Sequence, residues 1–166
     1  MSALADPHRR SLGWGLRCEA IARGVDIGRD LVLAAEPSAG AIDLAATAGA
    51  ANLTQCLTVA LTTALGDDVF DTGFGFDGIR ALTEDTSALM VRERVRVAII
   101  RVLKRDPRVR SIVDLKILDR RLDLAGRALD APDDPDAWRT LRVNVVFETV
   151  AGDTNTLSFA TGGADA

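Results

Sequence analysis

Apolar residues return every third or fourth position over residues 88–103, where Ala88, Val91, Val95, Ala98 and Val102 step by 3, 4, 3 and 4 and Ile99 and Leu103 widen the stripe. Such spacing lines one face of a helix and predicts an amphipathic helix with a polar outer side. Its end falls at Asp106, because the residue before Pro107 is pushed out of the α region. A second stripe, Leu53, Leu57, Leu61 and Leu65, recurs every fourth residue. It predicts a helix of about 13 residues with Asn52 as N-cap and Gly66 as its stop.

Elsewhere the period shortens to two. Val113, Leu115 and Ile117 alternate with Asp114 and Lys116, which predicts a strand directly after the basic helix. Leu141, Val143, Val145 and Phe147 alternate with Arg142, Asn144 and Glu148, and Leu157 and Phe159 alternate with Thr156 and Ser158. The intervening Ala-Gly-Asp-Thr-Asn supplies a turn, so these two runs predict a C-terminal hairpin. Residues 27–33 and 42–44 are short candidate strands separated by Pro37 and Gly40. Residues 67–78 carry two adjacent acids, three Phe and three Gly with neither period, and predict an ordered loop pinned by its Phe rings. Residues 1–26, punctuated by Gly13, Gly15 and Gly24, are expected to form an irregular N-terminal arm in which Trp14 and Leu16 pack on something. Residues 119–138, with Pro132, Pro135 and six acids, are expected to form an exposed acidic connector with one short helix near 122–129, and residues 161–166 a flexible tail. The expected fold class is α+β: one small domain over residues 27–160, with two main helices packed on a small, mostly antiparallel sheet and the C-terminal hairpin.

Composition narrows the choice of function. The 166 residues are 48% hydrophobic and 27% charged with a mean hydropathy of +0.13, inside the range of folding chains. Aromatic residues are 4% and Tyr is absent, so the core must be aliphatic and the inventory suits stacking of bases or sugars poorly. Cys18 and Cys56 lack metal-type spacing and predict reduced thiols in a protein made in the cytoplasm. No signal-peptide pattern follows Met1, and the most apolar stretch, residues 31–51, is interrupted by Glu36, Pro37, Gly40 and Asp43, so no membrane span is expected.

Candidate chemistry is thin. His8 is the single histidine and lies in the expected arm, which argues against a Ser/His/Asp triad, a Cys/His pair or a multi-histidine metal site. Gly73, Gly75 and Gly78 match a dinucleotide fingerprint only in a relaxed frame, after no strand and before no immediate helix. Carboxylate pairs such as Asp67/Asp68 and Glu84/Asp85 carry little specificity among 24 acids. Charge is more informative: between Arg92 and Arg110 eight bases face two acids, a balance of +6 in a chain of net −4, so the remainder carries −10. Three readings follow: a solvated helix face, docking to an acidic protein surface, or nucleic-acid binding, the last weakened by the acidic pI of 5.0 and the lack of interleaved aromatics.

The order of these parts is itself informative: Asn52-Leu53-Thr54-Gln55 opening the first helix, a glycine-aromatic loop with Phe70, Gly73, Phe74 and Gly75, the basic helix, Asp106-Pro107-Arg108, a strand, a spacer and a hairpin. Over residues 27–159 this series resembles the small baseplate wedge family of contractile phage tails, type VI secretion systems and extracellular injection particles, whose members were once labelled lysozyme-like. In that family a Glu-Pro-Arg motif after the long helix contacts the core bundle of the wedge. The resemblance implies that Asp106, Pro107 and Arg108, with neighbouring Arg105, make the contact here, the Asp shortening the carboxylate arm by one carbon. It also implies six copies per particle, no enzymatic activity, no cofactor and no metal. The partners implied are the large wedge subunits, first-ring sheath subunits and hub or tube-proximal proteins, with no nucleic acid. Sheath assembly would be initiated by strand pairing along Thr156, Leu157, Ser158, Phe159 and Ala160. The competing expectation, a peptidoglycan-cleaving enzyme of a phage tail, needs a desolvated carboxyl in a cleft, and no acid in this sequence sits in an apolar run.

Overall fold

The computed structural model describes residues 7–22, 25–35, 42–78, 80, 87–119 and 141–161. The chain is an α+β protein: the described residues form three helices and several small antiparallel sheets, the largest among them a three-stranded sheet at the C-terminal end. It divides into two compact units, one of residues up to Cys56 and the other Leu57–Gly163. The expected acidic connector lies outside the described residues apart from Asp119.

The first unit is where sequence and structure differ most. The segment expected to be an irregular arm contains α1 (Pro7–Leu12), β1 (Trp14–Leu16) and β2 (Cys18–Ala22), and Leu12 is fully buried. β2 pairs with β3 (Val25–Leu31), β4 (Leu33–Ala35) with β5 (Ile42–Leu44), and β1 with β6 (Ala46–Ala48), all antiparallel. The single residues between successive strands, Arg17, Val32 and Ala45, close a triangle of backbone hydrogen bonds. Arg17 N donates to Ala45 O (2.8 Å), Ala45 N to Val32 O (2.8 Å) and Val32 N to Arg17 O (3.0 Å). Three ladders therefore share one junction with its backbone groups paired, which is how strands this short hold together. No alternation in sequence announces this, because each strand is too short to show a period.

α2 (Gly49–Thr62) buries Leu53, Leu57 and Leu61 as the fourfold spacing predicts, but it ends at Thr62, so Leu65 is half-buried in the turn beyond it and Gly66 is not its stop. Asn52 is not its N-cap. The helix starts earlier, and Asn52 is a buried interior residue whose Nδ2 donates to Leu12 O (3.2 Å). Gln55 spans the junction in the same manner: its Oε1 accepts Cys18 N (2.9 Å) and its Nε2 donates to Leu16 O (2.8 Å). These two amides act as a strand edge would, satisfying backbone groups that β1 and β2 leave open.

In the second unit α3 (Ala88–Arg105) buries Val91, Val95, Ala98, Ile99 and Leu103, the predicted stripe except that Ala88 and Val102 are only half-buried. α3 lies against β7 (Val109–Asp119), the first strand of the sheet ordered β7-β8-β9. β8 (Leu141–Thr149) alternates as predicted, with Leu141, Val143, Val145 and Phe147 buried. β7 does not keep the predicted alternation, since register shifts at Arg110 and Val113 turn Val113 out to solvent, leaving Ile117 as its buried apolar residue. β9 (Thr154–Thr161) pairs with β8 without a shift. The hairpin turn is closed by Thr149 N donating to Asp153 O (2.9 Å) and Gly152 N to Thr149 O (3.0 Å), with Gly152 at φ +91°.

The glycine-aromatic segment is an ordered loop, pinned by one ring rather than by all. Phe76 is buried, its N donates to Thr63 O (2.8 Å) and its O accepts Leu65 N (3.2 Å), whereas Phe70 stands free in solvent. Gly75 has φ +107°, and a Cβ there would meet Ala64 O at 2.6 Å and Thr63 O at 2.8 Å. Gly152 also has positive φ, yet nothing lies within 4 Å of the added carbon. Gly152→Ala should therefore cost roughly 1–2 kcal/mol, from left-handed backbone alone. Gly75→Ala, strained and clashing, should cost more than about 3 kcal/mol. Urea unfolding of the two variants measures the difference, and equal costs would show that residues 73–76 do not pack on the end of α2.

Candidate functional site

The residues that follow α3 close on themselves before they offer anything to a partner. Asp106 caps the helix with ψ 115°, the extended conformation imposed on a residue before proline, and its N donates back to Leu103 O (3.3 Å). Pro107 turns the chain. Arg108 then reaches back: its backbone N and its Nε both donate to Asp106 Oδ1 (2.9 Å each), and its Nη2 donates to Asp106 Oδ2 (2.7 Å). This fork is mostly shielded from water, the side chains being 25% and 16% exposed. Burial pulls the Asp106 carboxyl upward, but the hydrogen bonds and charge of Arg108 outweigh it and hold the group below its ordinary value of 3.8. The short Asp arm suits the turn, because a carboxylate one carbon from Cα reaches the backbone N–H two residues on.

Two other segments attach at the same place. Arg108 O accepts Val150 N (3.0 Å), which ties the β8–β9 turn to the helix–strand junction. Arg105 donates through Nη1 to Gly73 O, and its Nη2 occupies the space a Cβ on Gly73 would take, 2.9 Å away. Within that loop Asp68 Oδ1 accepts Phe70 N (2.8 Å) and Asp71 N (3.3 Å), and Asp71 Oδ1 accepts Gly73 N (3.0 Å). Arg105, Asp106 and Arg108 are thus brought together with Gly73 and Val150. Of the paired acids at residues 67–68, which sequence reasoning set aside as unspecific, Asp68 supplies part of the loop's backbone caps.

The strand residues singled out in sequence lie on the outer strand of the sheet, towards the end of the ladder away from that junction. Leu157 and Phe159 face the core and Ser158 faces solvent, with Asn144 Nδ2 donating to Ser158 Oγ (3.2 Å). Because Thr149 and Asp153 form a bonded pair and the register runs unshifted, Asn155, Leu157 and Phe159 direct their backbone groups to β8. Thr154, Thr156, Ser158 and Ala160 direct theirs away from it. Among the described residues that edge of β9 carries no bulge, charge or proline, whereas the opposite edge strand, β7, carries two bulges and the charges of Arg110, Asp114 and Lys116.

Among the described residues no group of three or more His, Cys, Asp or Glu could hold a metal ion, and no helix is long and apolar enough to cross a membrane. Cys18 and Cys56 are free thiols. No known family's model and no curated protein sequence matches the chain.

Removing the fork leaves a mostly buried carboxylate without its counter-ion, so Arg108→Ala should cost about 1–3 kcal/mol of stability. For Asp106→Asn the sign of the pH dependence is set by the lowered pKa: the ionised carboxylate stabilises the fold above pH 3.8, and that contribution is lost as pH falls through its lower folded value. Urea midpoints of wild type and Asp106→Asn should differ at neutral pH and converge as the pH drops below 3.8. A gap that widens in acid would refute the fork.

Proposed function

We propose that this chain is a non-enzymatic structural subunit of a contractile injection system, a baseplate wedge protein on which the sheath begins to assemble. The open edge of β9 carries the reading. Thr154, Thr156, Ser158 and Ala160 direct backbone N–H and C=O groups outward at the rim of a well-packed sheet, where no described strand pairs with them, without the blunting devices that protect β7. Strand addition gains affinity from main-chain hydrogen bonds, and Leu157 and Phe159 extend the apolar face that an added strand would join. In this reading the edge pairs with a first-ring sheath subunit, and the surface around Arg105, Asp106, Pro107 and Arg108 docks on the large wedge subunits. The exposed apolar residues of the first unit, among them Trp14, Leu33 and Ile42, suit a subunit whose packing is completed by neighbours such as hub or tube-proximal proteins. Six copies would assemble in the cytoplasm into a phage-tail-like particle, with no cofactor, metal or nucleic acid.

Ser158→Pro tests the edge. The Ser158 N–H points away from β8, so proline there removes a donor from the outer rim and spares the internal ladder. The expected outcome is a folded protein and ordinary baseplates without polymerised sheath, seen by electron microscopy of particles carrying the variant. Full-length sheaths on those baseplates would sink the proposal. The purified protein should also leave peptidoglycan intact; turnover abolished by one Asp or Glu replacement in a folded variant would support the lysozyme-like alternative instead.

A further inference from the structure

The three ladders of the first unit share one apolar face. Direct partners across an antiparallel ladder project to the same side, and so do alternate residues along a strand. The pairs that flank the Arg17, Val32 and Ala45 triangle are Leu16 with Ala46, Cys18 with Leu31, and Leu33 with Leu44, so all six side chains stand on one side of the junction. Trp14 and Ile42, two residues further out on their ladders, extend that side. The acids project to the other: Glu19 forms an ion pair there with Arg17, and Asp30 and Asp43 occupy the same alternate positions. Asn52 of α2 approaches from that other side as well, where a Cβ on Gly15 would meet its Oδ1 at 2.9 Å.

The helix therefore leaves the apolar side open. Trp14, Leu16, Leu31, Leu33, Ile42 and Leu44 are 41% to 73% exposed, and together they present roughly 600–700 Å² of surface. The largest exposed apolar patch of an ordinary monomer is roughly 300–600 Å², and each partner in a stable complex covers roughly 800 Å². With Cys18 and Ala46 set between the leucines, the face approaches the size that half of a dimer needs. β4 and β5 point the same way: every residue of that ladder is exposed, and a two-stranded ribbon without cover is marginal in water.

We infer that this face packs on the same face of a second copy, two sheets stacked about a two-fold axis with Asn52 on the side away from the contact. Among the described residues the face carries no acid, and aliphatic side chains fill its centre, so nothing on it selects a chemically different partner. A second copy matches it in size and in apolarity, and sheets packed face to face interdigitate such side chains at a spacing of about 10 Å. Its described charges, Arg9 over the Trp14 ring and Arg29 in β3, belong to two different arms at the rim, where an interface stays hydrated. The contact is isologous and closes at two copies. It uses neither β9 nor the Asp106 junction, so it stands independently of strand pairing with a sheath subunit.

Sedimentation velocity on the full chain between about 1 and 200 µM reads the outcome. Wild type should dimerise with a dissociation constant on the order of 1–10 µM. Leu33→Thr combined with Ile42→Thr keeps strand-forming residues but removes apolar area from both copies, and should weaken the dimer more than about a hundredfold. Circular dichroism checks that the double variant is folded. Ser158→Pro, at the β9 edge, should leave the dimer intact. In wild type, hydrogen exchange at the amides of residues 33–35 and 42–44 should slow as the dimer forms, a readout that needs no variant. A wild type monomeric throughout the range, a double variant that dimerises as wild type does, a dimer lost in Ser158→Pro, or exchange at those amides independent of concentration would each overturn the proposal. So would a monomer that floats with phosphatidylcholine vesicles, which would assign the face to a lipid surface.

Discussion

The carboxylate of Asp106 is the point from which the second unit is organised. Pro107 forces the preceding residue out of the helix, and the fork with Arg108 converts that forced stop into a defined change of direction from α3 into β7. Since Arg108 O also receives Val150 N, the geometry of a three-residue turn reaches the far hairpin, and since Arg105 holds Gly73 O, it reaches the glycine-aromatic loop. One charge-assisted pair, shielded from water, thereby coordinates segments more than 30 residues apart in sequence.

The first unit solves a different problem. Its apolar core among the described residues is little more than Leu12 and Leu53, far too little for six short strands to rely on burial alone. Polar satisfaction takes over: the Arg17, Val32 and Ala45 triangle closes the ladder ends, and the amides of Asn52 and Gln55 occupy backbone groups that no strand reaches. Gly15 is part of this arrangement, because a Cβ there would lie 2.9 Å from Asn52 Oδ1. The Asn-Leu-Thr-Gln segment, prominent in the family resemblance, thus has an architectural role in this chain.

The asymmetry of the C-terminal sheet links architecture to the functional proposal. Both outer strands face the hazard of an unpaired edge, yet only β7 is blunted, by bulges at Arg110 and Val113 and by charge. A fold that protects one edge and leaves the other flat is more simply understood as keeping the second for a partner than as tolerating a liability.

Residue spacing alone determined the long elements. The stripe of α3, the stop at Asp106, the buried alternation of β8 and the β8–β9 hairpin were legible because each spans enough residues for its period to emerge and each buries a full face. Tertiary structure decided what periodicity does not encode. Asn52 became a buried hydrogen-bonding group instead of a cap because α2 extends one turn further back, to Gly49. Val113 turned outward because a bulge costs one residue of register, and only one of three loop aromatics found a buried place. The arm resolved into short paired strands because a three-residue strand is specified by the backbone groups it meets in space, and those partners lie up to 34 residues away along the chain, as Trp14 and Ala48 do.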